Sequence, residues 1–102
     1  MKVWIIQDTN NDFSAAEEFG EVEFITRFDL SAIPASRNNS IVESDIRKFL
    51  SSYIPMMDYI LPSGNPMLCA TIAMSLPSGE HNFLKWVGRR SLYIPYKLRG
   101  VK

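Results

Sequence analysis

The chain has 102 residues, 46% of them hydrophobic and 22% charged, and its formal net charge is zero. That length builds one domain, residues 1–102, with a sizeable core. No apolar run reaches the ~18 residues of a membrane span, and a single cysteine, Cys69, excludes an internal disulfide and fits a reducing cytoplasm.

Lys2 to Gln7 contains Val-Trp-Ile-Ile without alternation, as a strand buried on both faces of a parallel sheet requires. The polar Gln7 and Asp8 arrive too soon for a signal peptide. Asp8-Thr-Asn-Asn-Asp12 then breaks the chain, and Asp12 suits the cap of a short helix over Phe13 to Phe19 closed by Gly20. Glu21 to Thr26 alternates, with Val22 and Phe24 on one side, and reads as an edge strand. Phe28 to Asn39 reads as a connector rich in Ser, Pro and Asn.

Ser40-Ile-Val-Glu43 matches a capping box. Val42, Ile46, Phe49, Leu50 and Tyr53 follow at helical spacing, and Pro55 ends the element. Tyr59, Ile60 and Leu61 form a short strand that Pro62 stops. Ser63-Gly-Asn-Pro66 is a tight turn in which Gly64 tolerates a positive φ, Asn65 is an N-cap and Pro66 opens a helix. That helix, to Leu76, is apolar nearly all round, so it must be covered on more than one side; a second subunit is the expected cover. Pro77-Ser-Gly79 is a break. Phe83 to Val87 and Leu92 to Leu98 form a hairpin around Gly88-Arg-Arg-Ser91, with Pro95 demoting the last strand to an edge and Gly100 to Lys102 as a loose tail.

The order β-α-β-α-β-α-β-β predicts a three-layer α/β/α sandwich. Its sheet is mostly parallel and Rossmann-like, of spatial order about 2-1-3-4-5, and ends in an antiparallel hairpin. In such sheets ligands sit at the carboxyl ends of the strands. The candidate ligand-binding residues are therefore Asp8 and Thr9 after the first strand and Ser63, Gly64 and Asn65 after the third. Free N–H groups at a helix start favour a nucleotide or another anion there.

The stretch Asp58-Tyr-Ile-Leu-Pro-Ser-Gly-Asn-Pro66, the helix before it and the closing Phe83-Leu-Lys-Trp and Tyr93-Ile-Pro-Tyr segments resemble small uncharacterised bacteriophage-encoded α/β proteins. Those carry a strand, a Ser-Gly-Asn/Asp-Pro turn, a helix and a terminal aromatic hairpin. The resemblance implies a viral protein in the host cytoplasm and supplies no activity to transfer.

Catalytic signatures are incomplete. There is no Gly-x-Gly-x-x-Gly, Walker loop or Gly-x-Ser-x-Gly elbow. His81, the lone histidine, reads as a solvated loop residue and a poor base for Ser63. One Cys and one His make no common zinc site, and no cofactor is implied. Charge is uneven: residues 81–102 hold six bases and no acid, whereas residues 1–36 hold seven acids and two bases. Arg89, Arg90, Lys97 and Arg99 among hairpin aromatics give a candidate single-stranded nucleic-acid surface, although alternation puts Lys85 and Trp86 on opposite faces. The reading preferred on these grounds is a non-catalytic interaction protein that binds a protein partner as a homodimer. The nucleotide- or anion-binding module is the alternative.

Overall fold

The structure, a computed structural model, describes residues 1–26 and 35–100, with the side chains of all but residues 35–40. Five strands make one sheet: β1 (Lys2–Gln7), β2 (Glu21–Thr26), β3 (Tyr59–Leu61), β4 (Gly79–Val87) and β5 (Leu92–Gly100). They lie in the order β2-β1-β3-β4-β5. The first four run parallel, and β5 returns antiparallel to β4 over nine paired residues, Gly79↔Gly100 to Val87↔Leu92.

The unbroken apolar run of β1 serves both faces at once. Trp4 and Ile6 join Ile25, Ile60 and two helices, α1 (Ala35–Ser52) and α2 (Pro66–Ser75), in one cluster. Val3 and Ile5 join Leu61, Leu84 and Tyr93 on the other face, which is covered by a 3₁₀ helix, Ser14–Phe19, through Ala16, Phe13 and Phe19. Buried aromatic edges knit the helix-covered face: Trp4 meets Phe49 at 5.2 Å between ring centroids, and Phe49 meets Tyr53 at 4.9 Å.

Several boundaries differ from the sequence expectation for identifiable reasons. The segment after Asp12 is a 3₁₀ helix because it is only six residues long, too short to repay an α-nucleus. Asp12 accepts the Ser14 amide at 2.9 Å, a local Asx bond. α1 begins at Ala35 rather than Ser40, so the capping-box pattern lies inside the helix, and residues 28–34 of the expected connector lie outside the described residues. β4 starts at Gly79, four residues early, because pairing with a full-length β5 recruits the polar Glu80, His81 and Asn82. Gly100 belongs to β5, leaving 101–102 of the expected tail outside the described residues.

His81 is therefore not a solvated loop residue. It is 3% exposed, its ring stacks on Tyr53, its Nδ1 lies 2.5 Å from the Tyr53 hydroxyl and its Nε2 lies 2.7 Å from the Pro77 carbonyl. A carbonyl only accepts, so Nε2 carries the proton and, in the neutral ring, Nδ1 accepts from the tyrosine. In α2, Leu68 and Ile72 are buried, as is Leu76 just after it, whereas Met67 and Met74 are 75% and 76% exposed. Among the described residues the chain itself thus covers one side of the helix and leaves the other to the expected second subunit or to solvent.

Candidate functional site

The Ser-Gly-Asn-Pro turn is held from below by β1. Ser63 Oγ donates to the Gln7 carbonyl at 2.7 Å and lies 3.3 Å from the Gln7 amide, which donates to it. The Asn65 amide donates to Gln7 Oε1 at 2.8 Å, and Asn65 Oδ1 accepts from Met67 N at 2.8 Å. Gly64 sits at φ 85°, and a Cβ there would come within 2.7 Å of Gln7 Cβ and overlap its carboxamide. Glycine is needed for conformation and for the close approach of Gln7. Two of the amides an anion would use at the start of α2 are thus occupied from within the chain.

Of the other candidate ligand residues, Asp8 Oδ1 accepts from the Asn10 amide at 3.0 Å and Thr9 Oγ1 accepts from Asn11 Nδ2 at 2.8 Å. These bonds stay inside the loop after β1, while Ser63, Gly64 and Asn65 gather on Gln7. Cys69 lies half-buried behind the turn, its Sγ 3.6 Å from the Ser63 carbonyl, and burial pushes its thiol pKa up. Among the described residues no group of three His, Cys, Asp or Glu is placed to hold a metal ion, and no helix is long and apolar enough to cross a membrane.

The bases of the hairpin divide into two places. Arg89 and Arg90 occupy the turn, where Arg90 N donates to the Val87 carbonyl at 3.1 Å. Lys97 and Arg99 stand opposite Asn82 and Glu80. Lys97 lies five positions beyond Leu92, about 17 Å of strand, so the four cations do not share one spot. Lys85 Nζ lies 5.6 Å from the Tyr96 ring centroid, and Trp86 packs on Tyr93, its cross-strand partner, at 4.9 Å.

Two cavities flank the far end of β4. One, of about 430 Å³, lies between the loop after β1 and the hairpin and is lined by Asn11, Asp12, Phe13, Ser63 and Tyr93 among others. The second, of about 410 Å³, is lined by Phe83, Lys85, Tyr96 and Leu98. Both are also bounded by Pro62, Leu84 and Trp86. Sequence reasoning put the site on the Ser63 turn and missed this hollow, because its walls come from segments some 70 residues apart that only the fold joins.

Sequence reasoning also gave Asp58 no role. Asp58 is 3% exposed and accepts from the Lys2 amide at 2.9 Å, Trp4 Nε1 at 3.1 Å and the Ile54 amide at 2.9 Å. The available signal was its isolation, since it is the one charge between Lys48 and Glu80; such a lone carboxylate is buried only with donors around it.

A family model matches residues 1–100, nearly the whole chain. The chain belongs to the phage Pam3 gp32-like protein family. Neither a curated protein nor a solved structure matches it. Membership of the gp32-like family makes this a small phage protein with an α/β fold, and the family description names no activity.

Proposed function

We propose that this gp32-like protein is a non-catalytic interaction protein that binds a protein partner and does so as a homodimer. The observation that carries the reading is the outer face of α2. Met67, Ala70, Thr71 and Met74 recur at i, i+3, i+4 and i+7 and are all exposed, the spacing of a helix–helix seam. No charged residue occurs from Tyr59 to Gly79. The Thr71 hydroxyl donates to the Met67 carbonyl at 2.8 Å and the Ser75 hydroxyl to the Ile72 carbonyl at 2.6 Å, so covering this face strands no side-chain polar group of the seam.

A second copy fits the seam because its pattern is symmetrical about its middle. A two-fold axis between Ala70 and Thr71 brings each Met67 beside the Met74 of the other copy, with the small residues letting the helices approach. Ten residues make about 15 Å of helix, less surface than a standard interface, so the dimer dissociates in the micromolar range.

Mass in solution tests this from about 5 to about 500 μM. The expected result is a rise from one chain toward two, abolished by Met67→Glu and Met74→Glu with the circular-dichroism spectrum unchanged. A monomer throughout overturns the homodimer. Thermal unfolding with phosphate, nucleotides and oligothymidylate runs beside it. A native-state ligand at 100 times its Kd adds about 2.7 kcal/mol, and such a shift with a nucleotide would return the site to Ser63, Gly64 and Asn65.

A further inference from the structure

The ladder between β3 and β4 stops early. Only Tyr59↔Asn82 and Ile60↔Phe83 are paired, yet β4 continues to Val87. Pro62 follows β3 and has no N–H with which to extend the ladder. On its other side β4 is fully paired with β5, where Pro95 stands opposite Leu84. Pro95 cannot donate to Leu84, so Leu84/Pro95 is a non-hydrogen-bonded pair of that antiparallel ladder. By alternation, the backbone groups of Leu84 and Trp86 then point away from β5; the Leu84 N–H closes the Ile60↔Phe83 rung, and the Leu84 carbonyl and both groups of Trp86 face the edge that β3 has vacated.

The two cavities lie on either side of this edge and share Pro62, Leu84 and Trp86 as their common wall. Alternation of side chains along any strand laid here sends successive residues to opposite faces, one into each cavity. The walls differ in character. Phe83, Tyr96 and Leu98 make one mainly apolar, its one charge being Lys85, whose Nζ lies over the Tyr96 ring and which disfavours a second cation there, with Tyr96 and Leu98 44% and 52% exposed. Asn11, Asp12 and Ser63 make the other polar, with Asp12 as its one charged wall residue, beside Trp86 and Tyr93, a setting that suits a cation.

We propose that the free edge of β4 at Leu84–Val87 binds an extended segment of the protein partner, which adds a short strand to the sheet. Its backbone bonds to Leu84 and Trp86, an apolar side chain enters the Phe83–Tyr96–Leu98 cavity, and the adjacent Lys or Arg enters the Asp12 cavity. The segment is therefore an alternation of apolar and basic residues. This rests on the reading that the protein acts on a protein partner, and it is independent of the α2 homodimer. Strand addition supplies affinity through main-chain hydrogen bonds and specificity through the alternate pockets.

A random octapeptide library selected on the immobilised protein tests it. Enriched peptides are expected to alternate apolar and basic residues and to lose at least about tenfold in affinity on Leu98→Glu, about 1.4 kcal/mol. Loss of preference for the basic position is expected on Asp12→Asn, which keeps the oxygen that accepts from Ser14. N-methylation of the peptide amide facing Leu84 should abolish binding, an effect that a pocket without a strand would not show. Enrichment of no peptide, or of peptides indifferent to Leu98→Glu and to N-methylation, overturns the proposal. The solution mass of the same protein reports on the homodimer separately. Should Leu98→Glu fail to fold, Tyr96→Ser takes its place in the same comparison.

Discussion

Replacing Asp58 by alanine is expected to cost about 3–5 kcal/mol of folding stability. Three donors lose their acceptor at once: the Lys2 amide at 2.9 Å, the Ile54 amide at 2.9 Å and the Trp4 indole at 3.1 Å. The indole bond is buried and carries the full penalty of an orphaned donor, about 1–3 kcal/mol. The two amides are part-buried, where water recovers some of the loss, so about 1 kcal/mol each is appropriate. Asp58→Asn restores one acceptor oxygen but aims an NH₂ group at N–H donors, and should lie between alanine and wild type. Urea unfolding followed by tryptophan fluorescence and circular dichroism measures all three proteins. Since a domain of this size is stable by roughly 5–15 kcal/mol, the alanine variant should be conspicuous. A loss below about 1 kcal/mol for Asp58→Ala, with the denaturant slope unchanged, would refute the argument that this carboxylate joins β1 to the turn before β3.

Further expectations concern the same core and the Ser63 turn. The Tyr53 hydroxyl is pushed up to about 12, first by burial and second by the Asp58 charge. Its folded value exceeds the ordinary ~10, so its contribution is complete below that pH and is lost as pH rises through about 12. Melting temperatures from pH 9 upward should therefore fall more steeply for wild type than for Tyr53→Phe. Gly64→Ala should destabilise by about 1–3 kcal/mol, because φ is 85° and the added carbon meets Gln7; chemical denaturation reads it. Cys69, whose thiol burial pushes up, should react with a disulfide reagent at pH 8 far more slowly in the folded protein than in urea.

What the sequence revealed follows the range of the interactions involved. The unbroken Val3–Ile6 run announces a strand used on both faces, and Ile46, Phe49 and Tyr53 announce the buried stripe of α1, because these are local periodicities. Pro95 marks β5 as an edge for an equally local reason. The start of α1 is obscured by a Ser- and Asn-rich stretch whose local preference is for turns. Gln7 illustrates the opposite limit: its hold on Asn65 spans 58 positions, and nothing near Gln7 in the chain signals it. His81 looks polar and solvent-bound until the Tyr53 hydroxyl and the Pro77 carbonyl supply its partners. The hollow beside β4 is least legible of all, since it is created by where β3 stops.

The most direct test of a role in protein binding is affinity capture from host cells infected with the phage that encodes the protein, using wild-type and Leu98→Glu baits side by side. Leu98 is 52% exposed, so the substitution should leave folding stability within about 1 kcal/mol. The expected result is a phage or host protein that the wild type retains and the variant loses. Identical proteins on both baits would contradict it.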